Sequence, residues 1–558
     1  MTDTTRKDML GCYGNTRMIT PNLDRFASEG IRYNNAYSCQ PVCGPARSAI
    51  FTGTFPHSNG MVTNCVPLGA NVKTIGQRLT DNGFHCGYIG KWHLDGGDYF
   101  GFGKCPEGWD SEYWYDMRCY LNELTDEEKL ASRKPETAFG EDMTEEFTYA
   151  YRCTTRVLDF LEKYQDEDFF LTVSYDEPHG PSLCPAPYNT MYEGFTFDDQ
   201  PNFADDLSKK PLMQQLWAGD DIHKTAAEIN HPSKALALFL GCNTFVDHEI
   251  GKVIDKINEL MPEALVIFTS DHGDMLGAHR LQMKNATAYK EVANIPLLIR
   301  GGERGKVVDA PASHIDLAPT ILDYMGIPVP KLLEGKSMLK QIYDTTKKVN
   351  DIVYTEFTRY EIDHDGFGGL QIMRAATGER YKLVLNLLDT DEFYDMKKDP
   401  YEVHNLIEDP AYAKERDALH DALLEHMNVT RDLYRGYQWS ARPWRTDKKP
   451  TWQNDGYTRQ RENEEYEPRQ LDYDTGLPMV EAVRKKGTKD EKNSQTSDKQ
   501  LYHKTHRAAS HGNLKQTRPK PRGGNSNNER YSTGNRALRR FDDCRKGHDC
   551  ESYIRNIV

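Results

Sequence analysis

Short, continuous apolar segments alternate with helix-periodic segments along the first 345 residues, and this alternation restricts the fold more than any other feature. Phe169–Tyr175 (FFLTVSY), Ala264–Ser270 (ALVIFTS) and Ile295–Arg300 are largely apolar, as expected for strands covered on both faces. Between the first two segments, Lys234–Asn258 repeats its apolar residues with the period of a helix. The alternation predicts an α/β fold in which helices flank a large, mainly parallel sheet.

The pattern changes after residue 345. Asp351–Phe357, Gln371–Ala376 and Tyr381–Leu387 have the length and composition of strands joined by turns, and a helix is predicted near Ala411–Met427. We therefore divide the chain into a main α/β domain (1–345), a smaller C-terminal subdomain with an antiparallel sheet and a helix (346–450), an extension (451–483) and a tail (484–558). The tail has few apolar residues and carries 19 Lys and Arg against 8 Asp and Glu, so we expect it to be disordered.

The charge of the chain excludes some classes of function. The formal net charge is −15, and residues 1–483 carry 51 basic against 77 acidic side chains, which argues against a nucleic-acid partner. No run of 18 apolar residues is present, so we expect no membrane span. The chain opens MTDTTRKDMLGCYG, without an apolar stretch after a basic start. No signal peptide is predicted, and the expected location is the cytoplasm.

Two polar residues follow the predicted strand at Ala264–Ser270. Asp271 and His272 come directly after it in the segment ALVIFTSDHGD. Open α/β sheets place their ligand-binding groups beyond the carboxyl ends of strands. A carboxylate beside an imidazole at such a position predicts a cation site, although the same pair can simply cap a turn.

A second motif makes a family resemblance visible. Cys43–Arg47 reads CGPAR and is followed by Thr52 and Gly53, which resembles the Cys-x-Pro-x-Arg and Thr-Gly signature of the sulfatases. Gly90–Leu94 (GKWHL), the Pro-His pair that ends at His179, and the Asp-His pair are similar to further segments of that family. The likeness covers roughly residues 1–405, and the order and spacing of the motifs are more specific than any one of them.

The resemblance implies a mechanism and a set of site residues. In sulfatases the motif cysteine is oxidised to formylglycine, and the hydrated aldehyde attacks sulfur; its second hydroxyl then allows sulfate to leave, whereas a serine or thiolate would form a stable ester. A formylglycine-generating maturation enzyme is therefore an expected partner. The implied catalytic residues are Cys43, Arg47, Lys91, His93, His179 and Lys284, and the implied metal ligands are Asp3, Thr4, Cys43, Asp271 and His272.

The implied roles agree with the chemistry of these residue types. Arg47, Lys91, His179 and Lys284 can donate charge-assisted hydrogen bonds to a sulfate group, and His93 can take a proton. One divalent cation would polarise the ester and stabilise the ionised nucleophile. The oxygen-rich ligand set favours Ca²⁺, with Mg²⁺ or Mn²⁺ as alternatives.

The substrate is less constrained by the sequence than the chemistry is. A sulfate ester on a small molecule or oligosaccharide is implied, and Arg435–Arg445 (RGYQWSARPWR) interleaves arginines with aromatic residues, as in sugar-binding surfaces. The same segment can equally pack on the main domain. Together with the usual substrates of the sulfatase family, the segment makes a sulfated carbohydrate our working substrate.

One departure from the family pattern leaves other functions open. Sulfatases begin with a central strand ahead of the first metal ligand, whereas here Asp3 is the third residue, so the first strand and any export signal would be missing, and poor order is expected near Asp3. Phosphonate monoester and phosphodiester hydrolases share the formylglycine and resemble sulfatases closely. An inactive descendant that only binds sulfated glycans is the second alternative.

Overall fold

The computed structural model describes residues 1–64, 66–198, 200–361 and 369–449, together with Leu471, Gly476 and Leu477. The strands are β1 Ile31–Tyr37, β2 His85–Gly90, β3 Trp114–Tyr115, β4 Phe169–Ser174, β5 Val266–Thr269, β6 Asn294–Arg300, β7 Lys306–Val308, β8 Ala312–Ser313, β9 Ile352–Arg359, β10 Leu370–Gly378, β11 Tyr381–Asn386 and β12 Glu392–Asp395. None of the described helices is long and apolar enough to cross a bilayer.

The α-helices follow the predicted alternation with the strands. They are α1 Pro21–Glu29, α2 Cys43–Thr52, α3 Pro56–Asn59, α4 Ile75–Thr80, α5 Met117–Asn122, α6 Asp126–Ala131, α7 Tyr149–Tyr164, α8 Leu212–Ala218, α9 Ala226–Ile229, α10 Lys234–Leu260, α11 Lys290–Ala293, α12 Leu317–Tyr324, α13 Leu339–Tyr343, α14 Ala413–Val429 and α15 Tyr437–Ser440. The helices predicted at Lys234–Asn258 and Ala411–Met427 correspond to α10 and α14.

The predicted α/β fold is confirmed. Strands β3, β2 and β4 pair in parallel, and a second set runs in the order β5-β6-β1-β7, with β6 antiparallel to both of its neighbours. Helices α1, α7 and α10 cover one side of these strands with an apolar cluster that includes Phe26, Phe160 and Phe245. Helices α2, α4 and α12 cover the other side. Burial on both sides explains why the strand segments are continuously apolar.

Residues at the amino terminus lie between the two sets of strands. The Met1 ammonium donates to the Val173 carbonyl at 2.7 Å, and the Tyr175 amide donates to the Met1 carbonyl at 3.0 Å. On the other side, the Thr2 amide donates to the Thr269 carbonyl at 3.1 Å. Asp3 is fully buried. The expectation of poor order near Asp3 therefore does not hold, because the backbone on both sides pins Met1 and Thr2.

A cavity of about 580 Å³ lies next to Met1. Its walls include Met1, the β4 residues Phe169–Val173, the β5 residues Val266–Thr269 and apolar side chains of α10 and α12. Apart from their contacts with Met1 and Thr2, the facing edges of β4 and β5 have no strand partner among the described residues. At this point, the described backbone of residues 1 and 2 is thus what joins β4 to β5.

The C-terminal sheet matches its prediction as well. Strands β12, β11, β10 and β9 form a fully antiparallel sheet in that order, and α14 packs on β10 and β11. The described residues up to Leu477 belong to one compact unit, and the boundary drawn at residue 345 stays a prediction. The extension at 451–483, apart from Leu471, Gly476 and Leu477, and the tail at 484–558 lie outside the described residues.

Candidate active site

Helix α2 begins at Cys43 and determines how the CGPAR motif is displayed. Every residue of this helix is buried, and its first turn tolerates Pro45 because the first amide groups of a helix have no partner within it. Cys43 and Arg47 are four residues apart and therefore lie on one face. The Gly44 amide donates to Asn64 Oδ1 at 2.9 Å. The motif thus presents its cysteine and arginine together at the amino end of a rigid helix.

Arg47 joins two carboxylates from different parts of the chain. Its Nη2 donates to Asp3 Oδ2 and its Nε donates to Asp271 Oδ2, both at 3.1 Å. Its Nη1 donates to the Lys91 carbonyl and to Ser174 Oγ. The side chain is completely buried, and all three guanidinium nitrogens have partners in the fold. Arg47 therefore orients Asp3 and Asp271 and does not point into an open cleft.

The predicted metal ligands converge on one point. Ligand atoms of Asp3, Cys43, Asp271 and His272 all lie within 4.8 Å of one another, and all four residues are buried. Cys43 Sγ lies 3.2 Å from His272 Nε2 and 3.8 Å from Asp3 Oδ1. The hydroxyl of Thr4 donates to Asp3 Oδ1 at 2.6 Å, which places it at the edge of the cluster.

The charges of this cluster suit a divalent cation. Burial and the neighbouring Asp3 raise the pKa of Asp271. Burial also opposes ionisation of Asp3, but the Lys91 ammonium and other nearby cationic groups hold its pKa well below the usual range. Arg47 engages the Oδ2 atom of each carboxylate, which leaves both Oδ1 atoms to the cluster. Two buried carboxylates with an imidazole beside them form a donor set that fits a hard cation.

Lys91 and His93 follow the carboxyl end of β2. Lys91 Nζ lies 2.7 Å from Asp3 Oδ2 and 3.1 Å from Asp176 Oδ1. His93 has a positive φ of 59°, and neither of its ring nitrogens has a hydrogen-bond partner among the described residues. Burial and the Lys91 charge hold the pKa of His93 well below the ordinary value, so its imidazole is neutral. A buried, neutral and unpartnered imidazole can accept a proton from a substrate or nucleophile.

His179 and Lys284 form the opposite side of the site. Lys284 Nζ lies 3.1 Å from His179 Nε2. On the other side of the ring, His179 Nδ1 lies 3.0 Å from the Tyr99 hydroxyl and 3.1 Å from the Gly180 carbonyl. Because an ammonium can only donate, Nε2 accepts from Lys284 and the ring proton of the neutral tautomer belongs on Nδ1. Burial and the Lys284 charge lower the pKa of His179, consistent with that neutral form.

The structure adds residues that the sequence motifs do not single out. The Tyr99 hydroxyl donates to Asp176, with its two carboxylate oxygens at 2.6 and 2.7 Å, and Lys91 Nζ lies 4.0 Å from the centre of the Tyr99 ring. Asp176 follows the carboxyl end of β4, the kind of position that singled out Asp271, so the sequence did contain a signal for it. Tyr99 lies in a loop, away from the end of any strand, and its position in the sequence gives no comparable signal.

The arginine-rich and aromatic segment 435–445 has a structural role in this arrangement. Arg442 is buried and binds Asp391 through both Nε and Nη2, and Trp444 Nε1 donates to the same carboxylate. Trp439 is buried in the core of the small sheet. These contacts favour the packing alternative for the segment over a sugar-binding surface.

Comparison with known proteins identifies the family. The profile described as Sulfatase matches residues 1–327, and the profile described as N-sulphoglucosamine sulphohydrolase, C-terminal, matches residues 277–429. The match to the Sulfatase profile and to sulfatase relatives makes the protein a sulfuric ester hydrolase. The chain belongs to the sulfatase family.

Particular relatives show how far the likeness extends. The chain is 44% identical over 494 residues to an uncharacterized sulfatase, YidJ, of Escherichia coli (strain K12), which covers 86% of this chain and 96% of that protein. It is 25% identical over 509 residues to N-acetylglucosamine-6-O-sulfatase of Bacteroides thetaiotaomicron, with coverages of 77% and 86%. A phosphonate monoester hydrolase of Agrobacterium radiobacter shares the fold, with a TM-score of 0.64, 22% identity and coverages of 78% and 96%.

Proposed function

We propose that this protein hydrolyses a sulfate ester on a carbohydrate, using a formylglycine made at Cys43 and one divalent cation. The convergence of Asp3, Cys43, Asp271 and His272 at the buried end of α2 carries this proposal. A bound cation would supply charge to polarise the ester, and the formylglycine hydrate would supply the nucleophile. Ca²⁺ suits the oxygen donors best, with Mg²⁺ and Mn²⁺ as alternatives.

The remaining residues have roles that follow from their contacts. Lys91 and Lys284 are placed to donate to sulfate oxygens, and the Lys284–His179 pair holds a proton that can be passed to the leaving oxygen. His93 is the unpartnered base that can take the proton of the nucleophile. Arg47 acts indirectly, by holding the carboxylates of Asp3 and Asp271 in position.

The carbohydrate substrate is supported by the relatives rather than by the site itself. One of the relatives is named for a 6-O-sulfate of N-acetylglucosamine, and the C-terminal profile is named for an N-sulphoglucosamine hydrolase. Phosphonate esters are the competing substrates, since sulfur and phosphorus oxyanions have nearly the same shape. Rates on 4-nitrophenyl sulfate and on a phenylphosphonate ester, measured side by side, distinguish the two.

The mass of the peptide that contains Cys43 tests the mechanism directly. After expression with a maturation enzyme, we expect the mass of formylglycine at this position and turnover of a sulfate ester. A Cys43→Ala variant should bind the ester but not hydrolyse it, which also separates an enzyme from a protein that only binds glycans. A fully active protein in which residue 43 is still a thiol would refute the proposal.

Removal of the cation gives an independent check on the same site. Treatment with a chelator should abolish turnover, and added Ca²⁺, Mg²⁺ or Mn²⁺ should restore it. Ca²⁺ should be the most effective of the three, because it suits the oxygen donors best. Retention of full activity after chelation, with no metal found by elemental analysis, would contradict the proposed role of the cluster.

A further inference from the structure

An aromatic loop beside the catalytic groups carries an arginine. Tyr99 and Phe100 lie in the loop that follows His93, and the ring of Tyr99 lies against Lys91, His93 and His179. The guanidinium carbon of Arg133 lies 5.6 Å from the centre of the Tyr99 ring and 5.1 Å from that of Phe100. Arg133 is therefore separated from the sulfate-binding residues by little more than one aromatic ring.

Arg133 has no carboxylate partner among the described residues. Its side chain is exposed, and no described carboxylate lies within ion-pair distance of it. Other arginines of the same region are paired: Arg152 and Arg156 both bind Glu123. Contact with two aromatic rings restricts where the guanidinium can lie. It does not occupy the N–H groups, which stay available as hydrogen-bond donors. An oriented and unpaired guanidinium beside an anion site attracts a second anion.

We propose that Arg133 binds a second anionic group of the substrate, a carboxylate or a second sulfate, while Lys91 and Lys284 bind the scissile sulfate. This inference rests on the proposed sulfatase function and adds a specificity-determining residue to it. The distances from Lys91 and Arg133 to the Tyr99 ring limit how far apart the two anions are. They belong on the same sugar or on adjacent sugars, so the substrate class is a multiply anionic saccharide.

Competition against 4-nitrophenyl sulfate tests the second-anion site without requiring that each sugar be hydrolysed. The competitors are N-acetylglucosamine 6-sulfate, N-sulfoglucosamine 6-sulfate and a disaccharide that joins a uronate to N-acetylglucosamine 6-sulfate. In the wild type, we expect an inhibition constant about fivefold lower for at least one of the two doubly anionic sugars, as for an exposed but well-oriented ion pair. Whichever of them binds more tightly identifies the second anion as a sulfate or a carboxylate.

Substitution assigns that preference to one side chain. Arg133→Gln should remove the fivefold difference without changing KM for 4-nitrophenyl sulfate, which carries one charge. Lys134→Gln is the matched control, because it removes an exposed positive charge from the adjacent position and should preserve the difference. Arg133→Lys should retain only part of it, since lysine lacks the planar fork.

The outcomes separate this inference from the function on which it rests. A wild type that shows no preference for a second anion, or an Arg133→Gln variant that keeps the preference, overturns the role of Arg133 while the sulfatase activity stands. A matured and metal-loaded wild type that does not hydrolyse 4-nitrophenyl sulfate or any of the sulfated sugars overturns the proposed function itself.

Discussion

Arg47 shows how the fold gives a motif residue contacts that its sequence position does not reveal. From its type and position, the sequence suggested a donor to sulfate. In the fold, its guanidinium is enclosed by Asp3, Asp271, Ser174 and the Lys91 carbonyl. A planar fork can hold two carboxylates at once, and a buried pair of carboxylates would repel each other without it.

Replacing Arg47 by lysine tests this positioning role. Lysine keeps the charge but cannot hold both carboxylates, so we expect the affinity for the activating cation to fall by about 10- to 100-fold. The measurement is the cation activation constant after chelator treatment. Arg442→Lys removes an equally forked and buried contact, to Asp391 in the small subdomain, and should leave that constant unchanged. An unaltered constant in Arg47→Lys would show that Arg47 does not orient the ligands.

Tyr99 links Asp176 to the imidazole of His179, and this gives a second prediction. Tyr99→Phe removes only the hydroxyl, so His179 loses a partner that orients it. We expect kcat to fall about tenfold on a sugar sulfate, whose leaving oxygen needs a proton, and much less on 4-nitrophenyl sulfate, whose leaving group is a weak base. Tyr120→Phe, which removes a hydroxyl bonded to the Phe147 carbonyl, is the control. Equal losses on both substrates would exclude a role in proton transfer.

At the scale of elements, α3 and β9 are joined by a buried ion pair. His57 Nδ1 lies 2.5 Å from Glu356 Oε2, and the His57 amide donates to Glu356 Oε1 at 2.8 Å. Arg374 and Asp432 form a second buried pair nearby. Although burial opposes the charged form, Glu356 raises the pKa of His57 to about 9. The helix that follows the cysteine motif is thus attached electrostatically to the small sheet.

The attachment predicts a pH-dependent stability. A histidine whose pKa is raised from 6.5 to about 9 on folding stabilises the protein fully below pH 6.5. That contribution, on the order of 3 kcal/mol, declines as the pH rises and is lost above about 9. We expect the difference in unfolding free energy between the wild type and His57→Gln to shrink from pH 6 to pH 9.5 in urea titrations. A difference that stays constant with pH would contradict a charged His57.

The cavity between β4 and β5 leads to a prediction about the main sheet. A designed extension of five Val and Ile residues ahead of Met1 would pair with both strand edges and fill the apolar cavity. We expect the unfolding free energy to rise by about 3 kcal/mol, after subtracting the cost of ordering the added residues.

The control for this design is an extension of equal length made of Gly and Ser. It supplies the same length of backbone but no apolar side chains and little strand propensity. Urea midpoints that coincide for the two extended proteins would show that the cavity does not accept a strand.

At the scale of the whole molecule, all of the proposed catalytic and metal-binding residues lie between Asp3 and Lys284, in the main α/β domain. The basic tail at 484–558 contributes none of them. We therefore predict that a protein truncated after Val483 keeps kcat/KM for a sulfate ester within about twofold of the full chain, in the range of surface changes that touch no site group. A loss of tenfold or more in the truncated protein would place a functional group in the tail.

The sequence by itself determined the fold class and indicated most of the residues that gather at the candidate site. Continuous apolar strands and helix-periodic segments can be recognised within a short stretch of sequence. The CGPAR motif and the Asp-His pair can be recognised in the same way, because each lies in one short segment of the chain. Their positions at a helix start and at strand ends follow from general rules of α/β folds. The whole set of motif residues did come together.

Only the tertiary structure decided which group touches which. The contact of Arg47 with two carboxylates, the relay from Asp176 through Tyr99 to His179, and the packing of Arg442 on Asp391 all join segments far apart in the chain. Periodicity describes a residue's own element and says nothing about which distant charge lies opposite. Those partners are set by how the elements pack, since a buried charge is stable only where the fold supplies its counterpart.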